Sequence, residues 1–153
     1  MCCRCHMEDY DPELAPILGI AIKSPLITRI QKIRPTPLVQ SGDVFPTNLV
    51  ATVASDKQRN AAVFPMIWGF SVQGRSAPII NARIETASEK PTFREAWKEH
   101  RCAIPVSWYY EWQHLPALTA GVPKKQNTRF SRGKTVSLGF ADYTAWRTTF
   151  PCL

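Results

Sequence analysis

Residues 101–112 read Arg-Cys-Ala-Ile-Pro-Val-Ser-Trp-Tyr-Tyr-Glu-Trp. Cys102–Val106 and Trp108–Trp112 are short apolar and aromatic runs, which predicts two strands meeting at Ser107. Upstream, Phe93, Ala96 and Trp97 recur at helical spacing and predict a helix over Thr92–His100. Glu85–Lys90 reads as one helical turn. Pro78–Ile84, Ala61–Phe70 and Leu49–Ala54 read as strands, with Ser55–Asn60 as a polar loop. Gly42-Asp43 signals a turn, followed by an exposed segment Val44–Thr47. Short helices are expected at Leu14–Ile22 and, after Ser24-Pro25, at Leu26–Ile33. Downstream, Leu115–Asn127 reads as a loop. Arg129–Phe130 and Thr135–Phe140 suggest a hairpin around Arg132-Gly133. Thirteen prolines exclude long helices. The sum is an α+β fold: one compact domain over 1–153, a mostly antiparallel sheet with a barrel-like core, and a few short helices.

Composition fits a packed domain. The 153 residues are 44% apolar and 20% charged, which argues against global disorder. No apolar run approaches the ~20 residues of a membrane span, and the first residues are not those of a signal peptide. A cytoplasmic protein is expected. The net charge of +7 fits a polyanionic partner, nucleic acid first, although solubility alone would also explain it.

Three of the five cysteines, Cys2, Cys3 and Cys5, fall within the first five residues. Such crowding does not suit a disulfide framework and points to reactive thiols or metal ligands. Removal of Met1 would leave Cys2 as the N-terminal residue. Its α-amine then has an ordinary pKa near ~8 and its thiol near ~8.5. An amine and a thiol on adjacent carbons can trap one aldehyde together, as a Schiff base and then a thiazolidine ring. Two plainer readings stand beside this. Cys2 could be one residue of a frayed terminus, or Cys2, Cys3, Cys5 and His6 could bind zinc, for which no second paired motif appears downstream.

Further segments carry a resemblance. They are Trp68-Gly69-Phe70, Asn81-Ala82-Arg83-Ile84-Glu85-Thr86, Pro91-Thr92-Phe93-Arg94, Arg101-Cys102-Ala103-Ile104-Pro105 and Tyr109-Tyr110-Glu111-Trp112, behind a Met-Cys start. In this order they resemble the SOS response-associated peptidase (SRAP) family. Its pattern runs Met-Cys-Gly-Arg, Trp-Gly, Asn-Ala-Arg-x-Glu-Thr, Pro-x-Phe-Arg, Arg-Cys-x-x-Pro and aromatic-Tyr-Glu-Trp. The resemblance implies binding of single-stranded DNA that carries an abasic site. It also implies a covalent thiazolidine link from the N-terminal Cys to the ring-opened deoxyribose, shielding the lesion during the DNA damage response. The family's peptidase activity removes its own initiator Met. No cofactor and no membrane are implied, and a monomer acting at the bacterial nucleoid is expected.

The resemblance assigns roles. Cys2 matches the nucleophile. Asn81 would orient the sugar hydroxyl or the attacking amine. Glu111 would assist ring opening and Schiff-base chemistry, with aromatic neighbours raising its pKa. Arg4, Arg83 and Arg94 would hold phosphates or, for Arg4, position the N-terminus. Trp68 could stack on a base, or fill the core. The bland alternatives are ion pairs of Arg83 and Arg94 with Glu85 or Glu95, an ion pair of Glu111 with an arginine, and a turn-capping Asn81. Cys102 is expected as a packed thiol.

Two departures qualify the resemblance. Cys3 stands where the family has Gly, and its Cβ would crowd the approach of backbone to sugar. The family also continues to a His-x-Arg-Met-Pro motif whose His is an acid/base. His6, His100 and His114 stand in no such motif, and 142–153 diverges. The expectation is a chain without the family's last strands and with weakened proton transfer. A basic single-strand DNA binder without the chemistry is the alternative.

Overall fold

The computed structural model describes residues 4–114, 125–130 and 135–140. In chain order these form β1 (Arg4–Met7), α1 (Leu14–Ile22), α2 (Pro25–Ile33), β2 (Gly42–Val44), β3 (Leu49–Ser55), β4 (Ala61–Ile67), α3 (Ile84–Ala87), α4 (Arg94–Glu99), β5 (Arg101–Val106), β6 (Trp108–His114), β7 (Lys125–Phe130) and β8 (Thr135–Phe140). The strands make two four-stranded sheets, ordered β2-β1-β6-β7 and β4-β3-β5-β8. Every strand ladder in them is antiparallel. The α+β class with an antiparallel core is therefore what the chain adopts.

Strand periodicity builds the layers. In β1, Cys5 and Met7 are buried while Arg4 and His6 stay half-exposed, the alternation a one-sided strand requires. Cys5, Met7 and Val44 of one sheet meet Val50, Ala54, Met66, Cys102, Ile104 and Val106 of the other in the main core. β3 is buried on both faces. Its other residues, Leu49 and Ala51, pack with Ala21 of α1 and Ile30 of α2. This explains its near-continuous apolar sequence. The polar member, Thr52, is fully buried and donates its hydroxyl to the Phe64 carbonyl at 2.9 Å. Among the described residues no helix is long and apolar enough to cross a membrane.

Local signals set the helix starts. Asp11 Oδ1 accepts the Glu13 N–H at 3.0 Å just before α1. Ser24 caps α2, its Oγ accepting the Leu26 N–H at 3.3 Å, with Pro25 as first helical residue.

Several sequence expectations need correction. Arg129–Phe130 and Thr135–Phe140 do not form a hairpin. β7 pairs with β6 and β8 pairs with β5, so each lies in a different sheet. The division starts at Ser107, where consecutive strands part into separate sheets. Pro78–Ile84 is not a strand: it holds isolated bridges, Ile79 to Phe70 among them, and among the described residues no ladder extends from them. Its apolar side chains, Ile79 and Ala82, instead join a small separate core with Phe70, Ala87, Phe93 and Ala96. Val44 is not exposed but fully buried, because β2 closes one edge of β1. The helix expected over Thr92–His100 covers only Arg94–Glu99. The loop expected over Leu115–Asn127 falls largely outside the described residues, and β7 begins at Lys125.

Candidate functional site

The site grows from the register of β1. Its two neighbours place Asp43 of β2 and Trp108 of β6 on either side of His6. Two pairs further toward the N-terminus, Arg4 lies opposite Tyr110. The outward face of the first sheet thus gathers Arg4, His6, Asp43, Trp108 and Tyr110.

These side chains interlock. Asp43 takes a salt bridge from the Arg4 guanidinium through one oxygen. Its other oxygen lies 2.9 Å from His6 Nδ1. A carboxylate only accepts, so Nδ1 is the donor. The hydrogen bonds from Arg4 and then His6 hold the Asp43 carboxyl below its ordinary value, against the opposing effect of burial. The His6 ring stacks on Trp108, with centroids 4.2 Å apart and planes at 9°. The Arg4 guanidinium carbon sits 4.4 Å from the Tyr110 ring centroid and 5.5 Å from that of Phe45. Arg4 is therefore a fixed cation at the head of β1, its side chain 36% exposed.

The N-terminal strand is anchored to the β5–β6 junction as well. The Ser107 N–H donates to the His6 carbonyl at 2.9 Å. Ser107 Oγ accepts the Glu8 N–H at 3.0 Å and donates to Asp11 Oδ2 at 3.1 Å.

A second group comes from the 69–97 stretch. Gly69 has φ +111, and a Cβ there would stand 3.0 Å from Pro78 Cβ. Only glycine meets both demands, which explains the Trp-Gly pair physically. The turn lets Phe70 and Ile79 exchange backbone hydrogen bonds at 2.7 and 2.8 Å. Phe70 then meets Phe93 edge-on at 5.6 Å. This small core carries half-buried Asn81, exposed Arg83 just before α3, and exposed Arg94 at the first position of α4. Among the described residues, Arg83 and Arg94 form no ion pair with Glu85 or Glu95.

The other expected residues fall as follows. Glu111 lies in β6, next to Tyr110 and opposite Thr128 of β7, and its side chain is outside the described part. Cys2 and Cys3 also lie outside the described residues. Trp68 is 1% exposed and sits in the main core, so its ring offers no face to a base; the core-filling alternative is the correct one. Cys102 is a packed core thiol, as expected, and so is Cys5. Among the described residues no cluster of His, Cys, Asp or Glu could hold a metal.

Sequence reasoning missed Asp43 and treated His6 only as a ligand candidate. Their pairing depends on β1–β2 register, which Gly42-Asp43, read as a turn, did not disclose.

With this architecture in place, comparison with known proteins assigns the class. The chain belongs to the SOS response associated peptidase (SRAP) family, whose model matches residues 1–148. It is similar to the abasic site processing protein YoqW of Bacillus subtilis (strain 168), 34% identical over 84 residues, which span 52% of this chain and 37% of that protein. YobE, another abasic site processing protein of that organism, is 33% identical over 84 residues, spanning 52% of this chain and 38% of YobE. The match thus spans well under half the length of these curated relatives. Among solved structures, a protein from Bacteroides thetaiotaomicron aligns with TM-score 0.62 at 21% identity, covering 98% of this chain and 66% of that one. A phage-related protein from Bordetella bronchiseptica aligns with TM-score 0.61 at 20% identity, covering 99% and 68%. These two likenesses confirm the fold.

Proposed function

We propose that this chain binds single-stranded DNA at an abasic site and bonds to it through Cys2. After Met1 is removed, the Cys2 α-amine condenses with the ring-opened deoxyribose aldehyde and releases water. The Cys2 thiol then adds to the imine carbon, and its proton passes to the nitrogen as the thiazolidine closes. The adduct shields the lesion from strand cleavage.

One observation carries the reading: β1, which starts two residues after Cys2, pairs with β6 so that Arg4 faces Tyr110, the neighbour of Glu111. The N-terminal strand and the strand of the proposed proton donor are thus direct neighbours. The similar Bacillus proteins bear the name abasic site processing protein, which supports the substrate class. In this reading Glu111 protonates the sugar ring oxygen during opening and moves protons in imine formation. Asn81 orients a sugar hydroxyl. Arg83 and Arg94, exposed on the 69–97 stretch, take backbone phosphates. Arg4 is already engaged by Asp43, so its role is to position the N-terminus.

The test is a denaturing gel of the chain mixed with a single-stranded oligonucleotide bearing one abasic site. Intact mass confirms Met1 removal beforehand. A shifted band that disappears in Cys2→Ala is expected. No shifted band from folded, Met1-processed protein would overturn the covalent reading and leave DNA binding alone.

A further inference from the structure

His6 is held from three sides. Its Nδ1 lies 2.9 Å from Asp43 Oδ1, its ring lies flat on Trp108, and its carbonyl accepts the Ser107 N–H at 2.9 Å. Asp43 is fixed in turn by its salt bridge to Arg4. Because Nδ1–H is the donor, Nε2 is the basic nitrogen of the neutral ring. Nε2 has no partner among the described residues and reaches solvent. The side chain is 25% exposed. The ring is thus locked in orientation, with one nitrogen left to act outward.

The charges around the ring say what it can take. Asp43 of β2 bonds to it directly and supports an imidazolium. Arg4 of β1 opposes that charge but shares the same carboxylate. β6 brings Trp108 and Tyr110, uncharged at neutral pH, and the face of an indole attracts a cation stacked on it. Glu8, two residues on, is exposed and makes no ion pair with His6. Asp11, at the β5–β6 junction, is occupied by the Ser107 hydroxyl and the start of α1. With His6 neutral, Arg4 and Asp43 cancel. With His6 protonated, the trio carries one positive charge. Histidine is the side chain whose charge ordinarily changes between about pH 5 and pH 8.

We propose that His6 is a proton-dependent ligand for the bound DNA strand: as imidazolium it donates its Nε2–H to one backbone phosphate, while Asp43 and Trp108 hold the ring. The proton comes from solvent as the strand binds and returns there on release. A phosphodiester stays anionic across this pH range, whereas a sugar hydroxyl or a base edge brings no charge to meet the imidazolium. The position fits. His6 shares the outward face of β1 with Arg4. It stands four residues from Cys2, at most about 14 Å along the chain, so a strand engaging Cys2 passes within its reach. The contact rests on the DNA reading above but uses none of the Cys2 chemistry.

The test measures the affinity of the full chain for an undamaged single-stranded oligonucleotide at about pH 6 and about pH 8, with salt titrated at each pH. Wild type is expected to bind about tenfold tighter at the lower pH, the effect of one charge-assisted hydrogen bond. Its slope of log affinity against log salt should be steeper there by about 0.7, the value for one phosphate on a single strand. His6→Gln keeps a polar side chain that does not titrate and should lose both differences. His100→Gln should keep them. The N-terminal amine titrates in the same range, but it is common to all three proteins, so the comparison isolates His6. A pH effect as large in His6→Gln as in wild type overturns the proposal. An affinity lowered equally at both pH values means that His6 only braces β1 against β2, and overturns it too. If His6→Gln does not fold, the His6 ring Cε1–H signal of wild type decides, identified by removing the other two with His100→Gln and His114→Gln. It should move on oligonucleotide addition at the lower pH, and a signal that stays still overturns the contact. Folded wild type that binds no oligonucleotide at either pH overturns the DNA reading itself, and the contact with it. Because the oligonucleotide carries no lesion, failure of the Cys2 adduct leaves this result standing.

Discussion

The imidazole of His6 lies flat on the indole of Trp108, 4.2 Å between centroids and 9° between planes. The stack exists because β1 and β6 pair in the register that sets these residues opposite. Asp43 completes it by holding His6 Nδ1 while it binds Arg4 with its other oxygen. One carboxylate thus fixes both outward side chains of the N-terminal strand.

Asp43 should therefore leave a mark on stability at low pH. Its folded pKa is held below the ordinary 3.8, first by the Arg4 hydrogen bond and then by that of His6. A depressed carboxyl stabilises the fold above its unfolded pKa, and this contribution is lost as pH falls through the lower folded value. Wild type should lose Tm between about pH 4 and pH 2, and Asp43→Asn should lose less over that range. At neutral pH Asp43→Asn should melt about 2–4 °C lower, corresponding to ~1 kcal/mol for this partly exposed cluster. Superimposable Tm-against-pH curves for the two proteins would show that the cluster contributes nothing to folding.

Gly69→Ala tests whether the 69–97 stretch depends on one backbone conformation. The added Cβ meets a proline ring at 3.0 Å, and the ring has little freedom to yield. Positive φ adds its own strain. A loss of about 2 kcal/mol is expected in urea denaturation, with weaker oligonucleotide binding because Asn81 and Arg83 follow the turn. A variant as stable as wild type would mean that the 71–78 loop relaxes freely around the new methyl.

Much of the fold was legible because its signals are local. Leu14–Ile22 announced itself by an apolar run after Asp11-Pro12, and the helix occupies those residues. Leu49–Ala54 read as a strand from its apolar, β-branched run, and β3 extends it by one residue. What failed was non-local. Nothing in Arg129–Phe130 or Thr135–Phe140 tells which edge each strand will take, since a neighbour in sequence and the free edge of β5 or β6 offer similar hydrogen bonds. Trp68 shows the same limit. An aromatic residue beside glycine suits a stacking platform and a core equally, and burial decides between them. The Asp43–His6 pair was hidden for this reason too, because 37 residues separate its members.

Thiol reactivity offers a check on the layering of β1. Cys5 is 2% exposed and Cys102 is 3% exposed, both in the main core. Buried thiols in apolar surroundings resist alkylation. Brief iodoacetamide treatment of native protein followed by peptide mapping should leave both unmodified, and treatment in guanidinium should label both. Native labelling of Cys5 would mean that β1 detaches from the sheet readily, and with it the proposed placement of the N-terminus.

Arg83 and Arg94 separate a binding role from a structural one. Both are exposed and, among the described residues, neither is ion-paired, so removing either side chain breaks no described contact that supports the fold. Surface substitutions of this kind usually shift stability by no more than ~0.5 kcal/mol. Arg83→Ala and Arg94→Ala should therefore melt within about a degree or two of wild type. If each arginine holds one phosphate, each variant should weaken binding of a single-stranded oligonucleotide and reduce the salt slope by about 0.7. The covalent yield at saturating oligonucleotide should change less than the yield at low concentration, because a phosphate contact acts on binding and not on ring closure. Unchanged affinity in both variants would remove the 83–94 segment from the DNA path.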